Sequence, residues 1–307
     1  MYHCEILLRR RPDFRTLPLD LGTGTTIYPL VRSAVNLSLF DEAVRKSFCS
    51  PLKKKDRQRF LCLLKLLHYP LTNIEKTMMV NSLSYLSGTN TFIELDRANT
   101  GNLYLTIHSG CKNLTEKIIL VDTSIYQDIQ DQFEDLRIVQ ALSELSRAIF
   151  AERLFSYYYG TDRAEEVCWR VYCQPYHHLD NSRYSINCRK GVVKRGEEYA
   201  FLAGNTKGII LLNNTGVKEV NGLVDFGLKR IHNEYNPALN KCIQAVKKQL
   251  ANVYCEKTIV RSRYLSVMYQ PLSDLFSEKE VDGKICEPIY NFRPSDAKCR
   301  IVDMRTF

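Results

Sequence analysis

The chain has 307 residues, 45% hydrophobic and 25% charged, the balance of an ordinary folded protein whose core needs no disulfide or metal staple. A formal net charge of +9 and a pI near 8.9 favour a polyanionic partner, because lysine and arginine gain free energy by releasing counterions from a phosphate backbone. No run approaches the ~18 continuous apolar residues of a membrane span, which argues against a membrane partner.

The N-terminal MYHCEILLRRRPDF sets its apolar residues ahead of its arginines and lacks a cleavage pattern. It is therefore not a secretory signal, and a cytoplasmic protein is expected. Residues 15–35 read as a turn-rich strand region, with β-branched residues around the glycines of LPLDLGTGTTIYPLV. Residues 40–80 read as helical and basic, and the Lys53–Lys55 run reads as a solvated helix face rather than a specific RNA contact. Over 90–125 two strands are predicted, TFIEL and NLYLTIH, joined by the loop Asp96–Asn102, with IILVDT as a third.

Residues 128–160 carry the clearest helical pattern, ending at Gly160, and their length suggests a break. Strand-like segments with Gly and Asn turns return over 165–225. Residues 234–256 read as another helix, with Pro237 near its first turn. There is no repeat, low-complexity tract or clear linker. The expectation is one α+β domain over residues 1–307, with central β-sheets flanked by helices. The eleven cysteines are scattered and odd in number and form no CxxC pair, so reduced, mostly buried thiols are expected.

The most informative stretch is GTNTFIELDRANTGNLYLTIHSGCKNLT at 88–115. It resembles the RtcB RNA ligase pattern GGNHFIEL, a variable loop, then a strand ending in HSGSRGLG. Gly88, Asn90, Phe92, Ile93, Glu94, Leu95, His108, Ser109, Gly110 and Leu114 match. Further segments follow the family's order. LDLGTGT at 19–25 is similar to DIGCGM, AERLF at 151–155 to the helix carrying NR, and YHHLDN at 176–181 to the HN segment. INCRKGVV at 186–193 is similar to IHRKGA, LAGNTKG at 202–208 to IPGSMG, and FGLKR at 226–230 to HGAGR. Members of the family are usually longer, chiefly at the N-terminus.

The resemblance implies an RtcB-like fold and a role in RNA processing or repair. RtcB ligases join 2′,3′-cyclic- or 3′-phosphate RNA ends to 5′-hydroxyl ends, using GTP and manganese. A histidine of HGAGR carries GMP, and a cysteine, three histidines and an aspartate hold two metal ions. Carried over by position, Asp20, His108 and His177 match metal ligands, with His178 as the alternative register for His177. Thr23 and Thr91 stand where the ligand cysteine and a ligand histidine belong. Threonine hydroxyls donate weakly to such ions. At most one manganese is expected.

On the nucleotide side Asn90, Arg189, Lys190, Gly204 and Asn205 match cofactor-binding positions, while Lys229 would crowd the GTP site. Phe226 occupies the nucleophile position, and a phenyl ring forms no phosphoramidate. The expectation is a pseudo-ligase that binds RNA ends, particularly 3′-phosphate ends, or a protein partner. An enzyme with a remodelled metal and GTP site, and a structural subunit of a larger assembly, stand as alternatives. The tyrosine run Tyr157–Tyr159 suits either base stacking or an interface.

Overall fold

A computed structural model of the chain describes residues 19–31, 34–86, 91–98, 101–160 and 283–294, with Phe14, Leu17, Cys168 and Arg170 and the strand segments 2–9, 172–175, 177–182, 185–190, 192–194, 200–202, 209–212, 223–225, 258–261 and 265–271. In chain order the strands begin with β1 (Tyr2–Arg9), β2 (Gly24–Pro29), β3 (Phe92–Ala98), β4 (Leu103–Ser109) and β5 (Tyr172–Pro175). Then come β6 (His177–Ser182), β7 (Ser185–Lys190), β8 (Val192–Lys194), β9 (Ala200–Leu202) and β10 (Ile209–Leu212). The last are β11 (Leu223–Asp225), β12 (Thr258–Arg261), β13 (Leu265–Pro271) and β14 (Gly283–Phe292). The α-helices are α1 (Leu37–Cys49), α2 (Lys54–Leu64), α3 (Asn73–Ser84), α4 (Lys112–Leu120) and α5 (Ile129–Tyr159).

The described pairings are all antiparallel, which makes the class α+β. A seven-stranded sheet runs β5-β2-β4-β3-β14-β10-β9, a five-stranded sheet runs β12-β13-β1-β7-β6, and β11 pairs with β8. In the larger sheet one face of β2, β3, β4 and β14 is apolar. Tyr28, Ile93, Leu95, Leu103, Leu105, Ile107 and Phe292 pack there against Phe40 and Val44 of α1 and Phe150 and Leu154 of α5.

Local chemistry sets the helix ends. Asn36 accepts hydrogen bonds from the Ser38 and Leu39 amides at 3.1 and 3.2 Å, and Thr72 with Glu75 forms a capping box on α3. A second capping box, Asp128 with Asp131, opens α5, and Gly160 closes it at φ 97°. The predicted break in α5 is not there. The helix runs for 31 residues, about 46 Å at 1.5 Å per residue, with no internal Gly or Pro. Its first part packs into one apolar cluster through Phe133, Leu136, Val139, Leu142 and Ile149, and its last part into a second through Phe150, Leu154 and Phe155. One uninterrupted rod spans both cores.

Two further expectations are corrected. IILVDT is not a strand: Ile118 and Ile119 close α4, and Asp122 caps a single 3-10 turn at Thr123–Ile125. Leu114, Thr115, Ile118 and Ile119 are buried together, a helical spacing that a short apolar run cannot reveal by itself. Cys62, Cys111, Cys168 and Cys173 are free thiols, but Cys49 is disulfide-bonded. Which sulfurs meet depends on the fold and not on spacing along the chain. The helix predicted over 234–256 lies outside the described residues. Among the described residues no helix is long and apolar enough to cross a membrane.

Buried polar side chains tie α5 to its surroundings. Asp135 accepts the His68 and Tyr69 amides at 2.8 Å each and the Tyr126 hydroxyl at 3.0 Å. Arg147, only 1% exposed, donates to Thr26 Oγ1 and Ser143 Oγ at 2.8 Å each and to the Ser109 carbonyl at 3.3 Å. Replacing Arg147 with Met removes three buried charge-assisted hydrogen bonds and leaves the Ser109 carbonyl with Ser143 Oγ and Thr26 Oγ1 with Cys173 Sγ. The substitution is expected to lower stability by about 3 kcal/mol, read as a fall in the urea midpoint.

Candidate functional site

Strand alternation makes the opposite face of the seven-stranded sheet polar. His108 lies between Thr25 of β2 and Phe92 of β3, and Thr106 lies between Ile27 and Glu94. Tyr104 faces Asp96, and Asn291 of β14 pairs with Glu94. Glu94, Asp96 and Thr106 are fully buried, and Thr25, Tyr104 and His108 nearly so. A buried polar row is costly unless its members bond to one another. Here they do: Thr106 Oγ1 donates to Asp96 at 3.2 Å, and Asn291 Nδ2 donates to Glu94 at 2.9 Å.

The carboxyls of Glu94 and Asp96 project from the same face, two residues apart. Burial, and next the charge of Glu94, push the Asp96 carboxyl up to about 9. Near pH 7 Asp96 therefore keeps its proton and can act as a hydrogen-bond donor, as a neutral buried carboxylic acid can.

One end of this sheet gathers the polar turns. β2 begins just after Thr23, β3 begins just after Thr91, and β4 ends just past His108. Thr25 Oγ1 and His108 Nδ1 share a hydrogen bond at 2.8 Å, and the His108 ring stacks on Phe92 at 5.0 Å between centroids. The turn at 19–22 closes through the Thr23 amide, which donates to the Asp20 carbonyl at 2.9 Å. Gln140 of α5 holds this turn by donating to the Leu21 carbonyl at 3.2 Å.

Gly110 allows the two turns to meet, and Gly22 lets its turn pack against α4 and α5. A Cβ on Gly110 would lie 2.4 Å from Thr23 Oγ1, and one on Gly22 would lie 2.6 Å from Val139 and 2.7 Å from Thr115. A side chain at Gly110 would push the two turns apart, and one at Gly22 would push its turn off the helices.

The residues singled out from sequence divide into three groups. Asp20, Thr23, Thr91 and His108 flank the turns or strand ends just described. His177, Arg189 and Lys190 are placed by their backbones: His177 pairs with Lys190 and His178 with Arg189. Pro175, two residues before His177, pairs with Gly24, so the backbone of His177 lies within about 12 Å of that strand end. Asn90, Gly204, Asn205 and Phe226 lie outside the described residues.

The donor chemistry does not fit a two-manganese centre. Among the described residues no three His, Cys, Asp or Glu side chains converge. Thr91 spends its hydroxyl donating to the Leu86 carbonyl at 2.9 Å, and His108 Nδ1 is engaged by Thr25. Sequence reasoning missed Thr25, Thr106, Asp96 and Asn291. The signal for the first three was present as period-two alternation in TTIYP, FIELD and LYLTIHS, which sets them on the face of His108 and Glu94. Asn291, nearly two hundred residues away, left none.

No protein-family model matches the chain, and no curated protein matches it.

The pH dependence of stability follows from Asp96. Its folded-state value lies above the ordinary carboxylate range, so its contribution is complete at pH below about 4 and is lost as pH rises towards about 9. The urea midpoint of the wild type is expected to fall between those limits. In Asp96→Asn, which stays neutral throughout, that slope flattens. An unchanged slope would show that Asp96 ionises normally in the fold.

Proposed function

We propose that this chain is a divergent RtcB-type RNA ligase fold that binds RNA ends, particularly 3′-phosphate ends, or a protein partner, and does not ligate. The observation that carries the reading is the sheet register. Two segments that resemble the family, LDLGTGT and the part of the 88–115 stretch from Thr91 to Gly110, are far apart in the chain yet meet at one sheet end, with Thr23 against Gly110. Chance similarity between separate segments carries no reason for them to be neighbours. With threonines at two ligand positions and Phe226 at the nucleophile, the chemistry of metal-assisted guanylylation has lost its donors. GTP binding through Asn90, Arg189, Lys190, Gly204 and Asn205, and at most one manganese at Asp20, His108 and His177, belong to the same proposal.

A second reading, an enzyme with remodelled RNA-end chemistry, is favoured by the buried carboxyls of Glu94 and Asp96 on the same sheet face as His108. It predicts turnover of a 2′,3′-cyclic phosphate end, where the pseudo-ligase predicts binding alone.

Incubation with labelled GTP and manganese followed by a denaturing gel is expected to leave no label on the protein. A covalent guanylate would overturn the pseudo-ligase reading. The double variant Thr23→Cys, Thr91→His restores two donors at the sheet end. It is expected to retain about one more equivalent of manganese than the wild type after gel filtration, and equal metal contents would count against the kinship.

A further inference from the structure

Over residues 53–65 the chain carries six cations, Lys53, Lys54, Lys55, Arg57, Arg59 and Lys65, against one carboxylate, Asp56. Six less one leaves +5, more than half of the +9 of the whole chain. Several other helix cations are matched by acids: Arg45 with Asp41, Lys46 with Glu42, Lys112 with Glu116 and Lys117 with Glu75. On α2 the pattern reverses. Four residues on from Lys53 and Lys55 stand Arg57 and Arg59, like-charge spacings that weaken a helix. Lysines also crowd the first turn, where the helix dipole disfavours them. Asp56 is buried and, with Glu152, engages Arg59. Among the described residues Lys53, Lys54, Lys55 and Lys65 make no ion pair. A helix that breaks its local rules on an exposed face points to a use for that face.

Beside these cations stands an aromatic ring. Tyr157 is 47% exposed, while Tyr158 and Tyr159 pack against the second apolar cluster. Its hydroxyl shares a hydrogen bond with Ser50 Oγ at 2.5 Å, and Arg153 donates to the Ser50 carbonyl at 3.1 Å. The connection between α1 and α2 is thereby clamped to the end of α5. Lys53 follows Ser50 by three residues, a reach of at most about 11 Å. Helical spacing sets Lys54, Gln58 and Lys65 on one exposed face about 16 Å long.

We infer that this surface binds single-stranded RNA: the Tyr157 ring stacks on a base while Lys53, Lys54, Lys55 and Lys65 track the phosphates. The combination of a fixed, exposed ring and unpaired ammonium groups matches a nucleic-acid strand better than a lipid headgroup layer, which offers nothing to stack on. The inference rests on the RNA reading above but uses none of the residues at the sheet end.

Anisotropy of a labelled single-stranded RNA with a 3′-phosphate, titrated with the full chain across a potassium chloride series, tests it. The triple variant Lys53→Gln, Lys54→Gln, Lys55→Gln is expected to bind at least about tenfold more weakly at low salt, with its log–log salt slope reduced by about 2. Tyr157→Ala should lose about tenfold, and Tyr157→Phe, which keeps the ring, should lose little. Circular dichroism checks that each variant is folded, and the Tyr157→Phe comparison holds even if the triple variant is not. Wild-type affinity for RNA with unaltered binding by the triple and Tyr157→Ala variants overturns this inference and leaves the sheet-end reading standing. Affinity for phosphatidylserine vesicles in place of RNA also overturns it. A wild type that binds no RNA overturns this inference and the RNA-binding part of the reading above, leaving only its protein-partner form.

Discussion

The register that sets His108 between Thr25 and Phe92 governs what the large sheet can do. Side chains alternate along a strand, so a slip of one residue would send Leu103, Leu105 and Ile107 to the polar face. It would also drive Tyr104, Thr106 and His108 into the helices. Apolar burial against α1 and α5 holds the register from one side. At the strand end Gly110 comes so close to Thr23 that only glycine fits between the two turns.

Arg147 performs the complementary task on the helical side. It reaches from the middle of α5 to β2 and to the last carbonyl of β4, so the helix and the sheet end are positioned by the same guanidinium. Burial lowers its pKa, and the neighbouring Cys173, Tyr28 and Glu144 oppose that shift only in part. The polar row on the far face is therefore supported from behind by a rigid layer. Rigid support is what a binding or reactive constellation needs if it is to keep its geometry.

The two candidate surfaces differ in physical type. The sheet end is dry, with close-packed turns and the buried His108 ring bonded to Thr25. It suits recognition by a few directed hydrogen bonds. The α2 face is wet and cationic, and it suits the screened, less directional attraction of a phosphate chain. A protein that holds an RNA end in one place and its trailing strand in another would use both kinds.

Much of this was legible in the residues themselves. Alternation in FIELD and LYLTIHS specified two strands, and capping residues with a terminal glycine bounded α5, because those signals arise from neighbours a few positions apart. The same reading placed Asp20, Thr23, Thr91 and His108 together as candidates by resemblance, without distances. Only the tertiary structure decided that IILVDT closes a helix, that α5 runs unbroken across two cores, and that Cys49 is oxidised. It also decided that Asp96 keeps a proton beside Glu94. Each of these depends on which distant segments exclude water from a residue and which polar atoms they bring to it, and no local pattern along a chain encodes that.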